Sequence, residues 1–99
     1  MMILCRQDIL KCLRSQSDLF SFYGIKKMAL FGSAAKNQLK EDSDIDILIE
    51  FHSNYETFDN YMDLKLILQD LFNKKVDLVI QSCLKERIRE EILSEALDV

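Results

Sequence analysis

Two aspartates that flank a single residue and precede an apolar stretch constrain this chain most. Asp44 and Asp46 stand on either side of Ile45, and the apolar residues 47–49 follow. Side chains at positions i and i+2 of a strand share a face, so the sequence predicts that both carboxylates project from one side. Two carboxylates about 4 Å apart repel by roughly 4 kcal/mol at an effective dielectric constant of 20. A fold retains such a pair readily when a divalent cation lies between them, and Mg²⁺, which prefers oxygen ligands, is the natural candidate.

A glycine-serine turn lies upstream of these aspartates. The apolar residues 28–31 lead into Gly32 and Ser33 as a strand leads into a tight turn. Glycine permits the close approach of a phosphate, and serine adds a hydroxyl group. The sequence therefore predicts a phosphate-binding turn, with Ser33 as the cap of a short helix that runs to Asn37.

A third carboxylate lies inside a β-branched run. Asp77 is embedded in the apolar residues 76–80, where an ionised aspartate is costly unless it is paired or coordinated. Two local alternatives stay open, because Ser43 and Asp44 could cap a turn, and Glu50 is either near the site or an edge carboxylate. The combination of three acids with a Gly-Ser turn predicts metal-assisted chemistry on a nucleoside triphosphate.

These motifs resemble the minimal nucleotidyltransferase (MNT) domain of the DNA polymerase β-type superfamily. In that family the Gly-Ser turn holds the triphosphate, a role that falls here on Gly32 and Ser33. Two paired aspartates bind the metal ions, and a third completes the metal site and helps to activate the attacking hydroxyl; these roles fall on Asp44, Asp46 and Asp77. The resemblance implies that ATP is the substrate and that two Mg²⁺ ions are the cofactor. The matching stretches are residues 32–35, 42–51 and 75–79.

The chain departs from the family pattern after the Gly-Ser turn. Family members usually read Gly-Ser-x-Ala-Arg-Gly, whereas this chain has Lys36 and Asn37 at the last two positions. Lys36 keeps the positive charge, so the phosphate contact implied for it is that of a point charge rather than a planar fork. Asn37 tolerates left-handed backbone angles better than most residues. Since all three acids are present, we expect an active enzyme.

The resemblance also implies a protein partner. Stand-alone MNT proteins are often paired with a HEPN-domain protein, a helical toxin with ribonuclease activity. There the MNT protein is the antitoxin and can transfer AMP from ATP to a tyrosine of the toxin, so we expect a hetero-oligomer with a HEPN-type toxin. Two alternatives stay open: an antitoxin that acts by binding alone, and an enzyme that modifies a small molecule of the aminoglycoside type.

Length and composition predict one small domain over residues 1–99. Hydrophobic residues make up 48% of the chain and charged residues 30%, which is ordinary for a globular fold. The net charge of −4 argues against broad binding to nucleic acids or anionic membranes. No signal peptide or membrane span is evident, and three cysteines without CxxC spacing indicate reduced thiols. We therefore expect a cytoplasmic protein.

The hydrophobic pattern predicts an α/β (α+β) fold in the order α-β-α-β-α-β-α. This order corresponds to a small mixed β-sheet backed by helices, and the resemblance implies a polymerase β-like core. Gly24 is expected to end the first helix. The predicted helices cover residues 6–22, 58–72 and 84–97, and the predicted strands cover residues 27–31, 46–51 and 76–80.

Overall fold

Helices and strands alternate along the chain as the sequence predicted. The computed structural model describes residues 5–40 and 42–99. None of the helices in these two ranges is long and apolar enough to cross a membrane. The elements found there are α1 (Arg6–Arg14), α2 (Ser17–Tyr23), β1 (Ile25–Phe31), α3 (Gly32–Ala35), β2 (Ile45–Phe51), α4 (Phe58–Phe72), β3 (Val76–Ile80), a 3₁₀ turn (Gln81–Cys83), α5 (Glu86–Glu95) and β4 (Leu97–Asp98).

The strands form one mixed sheet, which confirms the predicted fold class. Their order is β3-β2-β1-β4; β1 runs antiparallel to β2 and β4, and β2 runs parallel to β3. Helix α4 forms the crossover connection that a parallel pair requires. Because β2 and β3 run in the same direction, both strands begin at the same edge of the sheet, with Asp46 opposite Asp77.

One face of the sheet packs against helices to form the core. Leu30 of β1 and Ile47 of β2 are register partners, and both are fully buried. Since side chains alternate along a strand, Asp46 and Leu48 lie on the opposite face. The most deeply buried side chains are Ile9, Leu13, Leu30, Ile45, Ile47, Ile49, Leu64, Leu68 and Val76.

The predicted first helix is two helices, so its prediction as one continuous element was wrong. Helix α1 stops at Ser15, whose hydroxyl donates to the carbonyl oxygen of Cys12 at 2.6 Å. Such a bond back to the preceding turn competes with continuation of the helix. Gln16 lies between the two helices as the residue that flanks the start of α2, and Gly24 ends α2 with a φ of 62°, as predicted. A Cβ atom on Gly24 would overlap the ring of Tyr55, so glycine is required there.

The end of the chain also differs from its prediction. Helix α5 ends at Glu95, because Ala96 adopts an extended conformation with ψ of 138°. Leu97 and Asp98 then pair with β1 as an added edge strand, and the N–H of Val99 donates to the carbonyl oxygen of Met28 at 2.9 Å. This pairing joins residues that are distant in the sequence. The helical periodicity of residues 84–97 carries no information about such contacts.

Helix α4 has the bounds that the sequence predicted, and a capping interaction accounts for its start. The Thr57 side chain accepts a hydrogen bond from the N–H of Asn60 at 3.1 Å. We expect Thr57→Ala to lower the free energy of unfolding by about 1 kcal/mol, a fall in Tm of roughly 4–8 °C for a domain of this size. Thermal unfolding followed by circular dichroism measures this change. Thr57→Ser keeps the hydroxyl and should unfold near the wild-type temperature; equal losses in both variants would contradict the capping role.

Candidate active site

Asp46 and Asp77 face each other across the two parallel strands. They are register partners in β2 and β3, and neighbouring strands lie about 4.8 Å apart. Asp46 is half-buried and Asp77 is exposed, so the pair lies at the surface on the face of the sheet opposite the core. The structure thus brings together two acids that lie 31 positions apart in the sequence.

Asp44 joins this pair from outside the strand. Strand β2 begins at Ile45, whose N–H donates to the carbonyl oxygen of Lys75 at 3.0 Å, so Asp44 lies in the loop that leads into β2. Asp44 therefore lies just before the strand rather than in it, and its charge still acts on Asp46. We call Asp44, Asp46 and Asp77 the acidic cluster.

The acidic cluster perturbs the titration of its central member. Burial, followed by the charges of Asp77 and Asp44, raises the pKa of Asp46 from 3.8 to about 6. Desolvation and like charges both disfavour an ionised carboxylate, whereas a bound cation favours it. Any positive charge that binds beside Asp46 therefore stabilises the ionised form of the cluster.

The donor set of the cluster fits Mg²⁺ bound together with a substrate. Within residues 5–40 and 42–99, no group of three or more His, Cys, Asp or Glu side chains is arranged to hold a metal ion. Mg²⁺ commonly uses only one or two carboxylates and completes its octahedron with water and substrate phosphates. The oxygen atoms of Asp46 and Asp77 meet that requirement, whereas a permanent metal site built from protein alone is not present in the part described.

Gly32 brings the main chain of the turn against Asp46. It has a φ of 61°, and a Cβ atom at this position would overlap Oδ2 of Asp46. Only glycine allows this approach of the backbone to the carboxylate. Ser33 lies inside α3, because Phe31 is the N-terminal flanking residue, so the prediction that Ser33 caps this helix was wrong. Asn37 has a φ of 57°, which confirms its expected left-handed conformation.

Two other charged residues that the sequence singled out are engaged in ion pairs. The ammonium group of Lys36 lies 3.3 Å from a carboxylate oxygen of Glu95 in α5. A carboxylate oxygen of Glu50 lies 3.9 Å from the ammonium group of Lys26. Sequence reasoning did not find the link between Lys36 and Glu95, because the two residues come together only when α3 and α5 pack.

Sequence reasoning also gave no role to Lys74. Its side chain donates to the carbonyl oxygen of Ser43, the residue before Asp44. The one sequence signal for this contact was the position of Lys74 just before the strand that carries Asp77. That signal is weak, because a lysine at the entrance to a strand is usually only surface charge.

Comparison with known sequences identifies relatives over most of the chain. The sequence profile of the family described as polymerase beta, nucleotidyltransferase matches residues 7–97. A Methanocaldococcus jannaschii protein named as protein adenylyltransferase MJ0435 is 39% identical over 77 residues, which are 78% of this chain and 82% of the relative. A second protein of that organism, MJ0128, with the same kind of name, is 41% identical over 92% of this chain and 90% of its own length. Protein adenylyltransferase MntA of Thermococcus cleftensis is 33% identical over 85% and 84% of the two chains.

Solved structures share the fold. A minimal nucleotidyltransferase superposes with a TM-score of 0.86 at 29% identity and 100% coverage of both chains. A chain of a toxin-antitoxin complex with AMP-PNP gives a TM-score of 0.69 at 21% identity, over 96% of this chain and 72% of that chain. A chain from the complex of a tri-AMPylated Shewanella oneidensis HEPN toxin with an MNT antitoxin gives 0.61 at 20% identity, over 94% and 66%. These last two likenesses show a common fold.

The family match and the relatives agree with the geometry described above. The matched residues include the glycine-serine turn and all three members of the acidic cluster. A small mixed sheet with this connectivity is also the fold of the minimal nucleotidyltransferase that covers the whole chain. The chain therefore belongs to the polymerase beta nucleotidyltransferase family.

Proposed function

We propose that this protein is a Mg²⁺-dependent protein adenylyltransferase that transfers AMP from ATP to a tyrosine of a HEPN-type toxin and thereby neutralises it. The observation that carries the proposal is the register of Asp46 with Asp77 beside the main chain of Gly32. This arrangement sets acidic oxygens next to the main chain of the glycine-serine turn. The names of the sequence relatives support adenylyl transfer to a protein as the reaction.

Each residue of the cluster has a role in this proposal. The turn at Gly32 and Ser33 binds the triphosphate, and Asp44 and Asp46 hold Mg²⁺, with Asp77 completing the site for a second ion. Bound Mg²⁺ neutralises charge on the phosphate oxygens and lowers the pKa of the acceptor hydroxyl.

In the transfer step, the acceptor oxygen forms a bond to the α-phosphorus while the bond from that phosphorus to the pyrophosphate oxygen breaks. Asp77 accepts the proton that the hydroxyl releases, which its exposed position permits. Most of the acceleration comes from the positions of the groups and from electrostatic stabilisation.

The proposed partner follows from the structural relatives. Chains of this fold occur in a toxin-antitoxin complex with AMP-PNP and in a complex of an MNT antitoxin with a tri-AMPylated HEPN toxin. We extend that arrangement to this chain as a hetero-oligomer in the cytoplasm, with residues 1–99 acting as one domain that receives its acceptor from the partner.

One observation favours a second candidate, an antitoxin that acts by binding alone. The cation expected to contact phosphate, Lys36, is engaged with Glu95 and lacks the planar fork of arginine. In this alternative the toxin is held in a stable complex, no AMP is transferred, and the acidic cluster is a relic. The experiments below separate the two candidates.

The acidic cluster is tested by removing charge while keeping shape. We expect Asp46→Asn and Asp77→Asn to lower AMP transfer at least about 100-fold, since metal-assisted charge stabilisation supplies several kcal/mol and each 1.36 kcal/mol is about tenfold in rate. The acceptor for this test is the candidate toxin, which is the product of the gene next to that of this protein. Intact-mass analysis of that product, after incubation with this protein, ATP and Mg²⁺, measures the transfer. Asp70→Asn, at an exposed position of α4, is the control and should match the wild type. If the wild-type protein forms a stable complex that protects cells from the toxin, and the toxin gains no mass, the binding-only alternative would be favoured.

The raised pKa of Asp46 predicts a specific dependence of stability on pH. The folded protein releases this proton near pH 6 and the unfolded chain near its ordinary 3.8, so between those values the folded state binds more protons. The free energy of unfolding of the wild type should therefore fall relative to that of Asp46→Asn as the pH rises through this window, and then level off. Melting temperatures in EDTA at several pH values between about 4.5 and 7.5 measure the difference.

Binding of Mg²⁺ and nucleotide should reverse this fall in stability with rising pH. Because metal ligands must be deprotonated, Mg²⁺ with AMP-PNP should raise the wild-type Tm more at neutral pH than at acidic pH. Asp70→Asn should follow the wild type throughout. A constant difference between wild type and Asp46→Asn across the pH range would refute the raised pKa.

The ion pair of Lys36 gives a further test of nucleotide binding. We expect Lys36→Met to weaken AMP-PNP binding about tenfold, because a charge-assisted contact to phosphate is lost. Glu95→Gln should tighten binding by up to about fivefold, since it releases Lys36 from a surface pair worth about 1 kcal/mol at most. Isothermal titration calorimetry with AMP-PNP and Mg²⁺ measures both effects. The double variant should bind like Lys36→Met; wild-type affinity in all three would exclude Lys36 from the nucleotide site.

A further inference from the structure

Asp44 is the member of the acidic cluster that lies outside the β-sheet. Strand β2 begins one residue later, at Ile45, and the Asp44 side chain is exposed. Loop residues are more mobile than the strands that they join. The direction of the Asp44 carboxylate therefore depends on what fixes the main chain immediately before it.

The ammonium group of Lys74 binds two carbonyl groups of that main chain. Its Nζ atom donates to the carbonyl oxygen of Lys40 at 3.0 Å and to the carbonyl oxygen of Ser43 at 3.1 Å. The carbonyl of Ser43 belongs to the peptide bond that joins Ser43 to Asp44, so this contact fixes the peptide plane next to the aspartate. The N–H of Ser43 donates to the Lys40 carbonyl at 3.1 Å, and the Ser43 hydroxyl accepts from the N–H of Lys40 at 3.0 Å.

Lys74 is itself fixed to the start of β3. It follows Asn73, which ends α4 with a φ of 50°, and its N–H donates to the carbonyl oxygen of Gln69 at 3.3 Å. The side-chain oxygen of Gln69 accepts from the N–H of Val76 at 3.1 Å. Since Val76 precedes Asp77, Lys74 connects the loop to the strand that carries the third acid.

From these contacts we propose that Lys74 is a positioning residue, which fixes the main chain before Asp44 and so orients the Asp44 carboxylate for Mg²⁺ binding. The proposal rests on the proposed role of Asp44 as a metal ligand. An ammonium group offers three donors from one compact centre, which suits two carbonyl groups of one turn. Because these contacts are made to carbonyl oxygens, they orient the loop and leave the carboxylate oxygens of Asp44 to the metal.

Backbone ¹⁵N relaxation tests the positioning without partner, metal or nucleotide. Lys74→Met keeps an unbranched apolar side chain that matches lysine as far as Cε, and it removes the ammonium donors. We expect the order parameter of the Asp44 amide to fall from about 0.85 towards 0.6 in this variant, while that of Asp77 stays near the rigid value. Lys75→Met is the matched control, because it removes the same charge from an exposed neighbouring side chain, and Asp44 should stay as ordered as in the wild type.

The dependence of AMP-PNP binding on Mg²⁺ tests the consequence for the site. Residues that orient metal ligands typically contribute 10–100-fold to metal affinity, so Lys74→Met should raise the half-saturating Mg²⁺ concentration about tenfold or more. Lys75→Met should leave it unchanged, and Lys74→Arg, which keeps a cationic donor, should recover part of the loss.

These measurements also separate this proposal from the proposed function. A lower Tm for Lys74→Met with unchanged Asp44 order and unchanged Mg²⁺ dependence would mean a merely structural lysine and would overturn the proposal. Failure of the wild type to transfer AMP, with the expected relaxation and Mg²⁺ results, would count against adenylyl transfer and leave the positioning role of Lys74 supported.

Discussion

The repulsion between Asp46 and Asp77 is the constraint on which the rest of this structure depends. Like charges directly opposite on neighbouring strands destabilise a sheet, and here burial adds to the effect by raising the pKa of Asp46. The fold limits the cost by setting the pair on the face away from the core, with Asp77 in solvent. It does not remove the cost, because Gly32 brings main chain rather than a countercharge against Asp46.

The apolar core is what holds this unfavourable pair in register. Ile45, Ile47 and Ile49 alternate with Asp46 along β2, and all three isoleucines are buried beneath helices. A slip of one residue would move the isoleucines to the opposite face of the sheet and the aspartate into the core. The free energy of burying those side chains therefore keeps Asp46 opposite Asp77. A site that looks electrostatically strained is thus specified by hydrophobic packing on the other side of the same strand.

Much of this could be predicted from the sequence where the signal is local. The bounds of α4 were predicted from its hydrophobic periodicity, and the structure shows a threonine cap at its start and an asparagine with positive φ at its end. Gly24 was predicted as a helix end, and it ends α2 with a positive φ. One error arose from a local side-chain bond that periodicity does not reveal, and another arose where distant residues decide the outcome. The bond from Ser15 to the preceding turn divided the first helix, and pairing with β1 drew Leu97 into a strand.

The candidate site shows the same division between local and distant information. The motif and the family resemblance indicated that the three acids belong together, but register alone sets Asp46 opposite Asp77, and strand pairing excludes Asp44 from β2. The contacts of Lys74 with Ser43 and of Lys36 with Glu95 join segments more than 30 positions apart. Hydrophobic periodicity carries no information about such contacts, since polar side chains at loop ends follow no period.

Charge balance then indicates how a nucleotide would enter the proposed site. The acidic cluster repels a triphosphate, and the cation expected to contact phosphate, Lys36, is engaged with Glu95. The chain as a whole carries a net charge of −4, so no general positive field attracts the ligand. A divalent cation that arrives with the nucleotide solves both problems, because it neutralises phosphate oxygens and relieves the repulsion at Asp46 in the same step. Under the proposed function, the magnesium complex of ATP rather than free ATP is therefore the expected substrate.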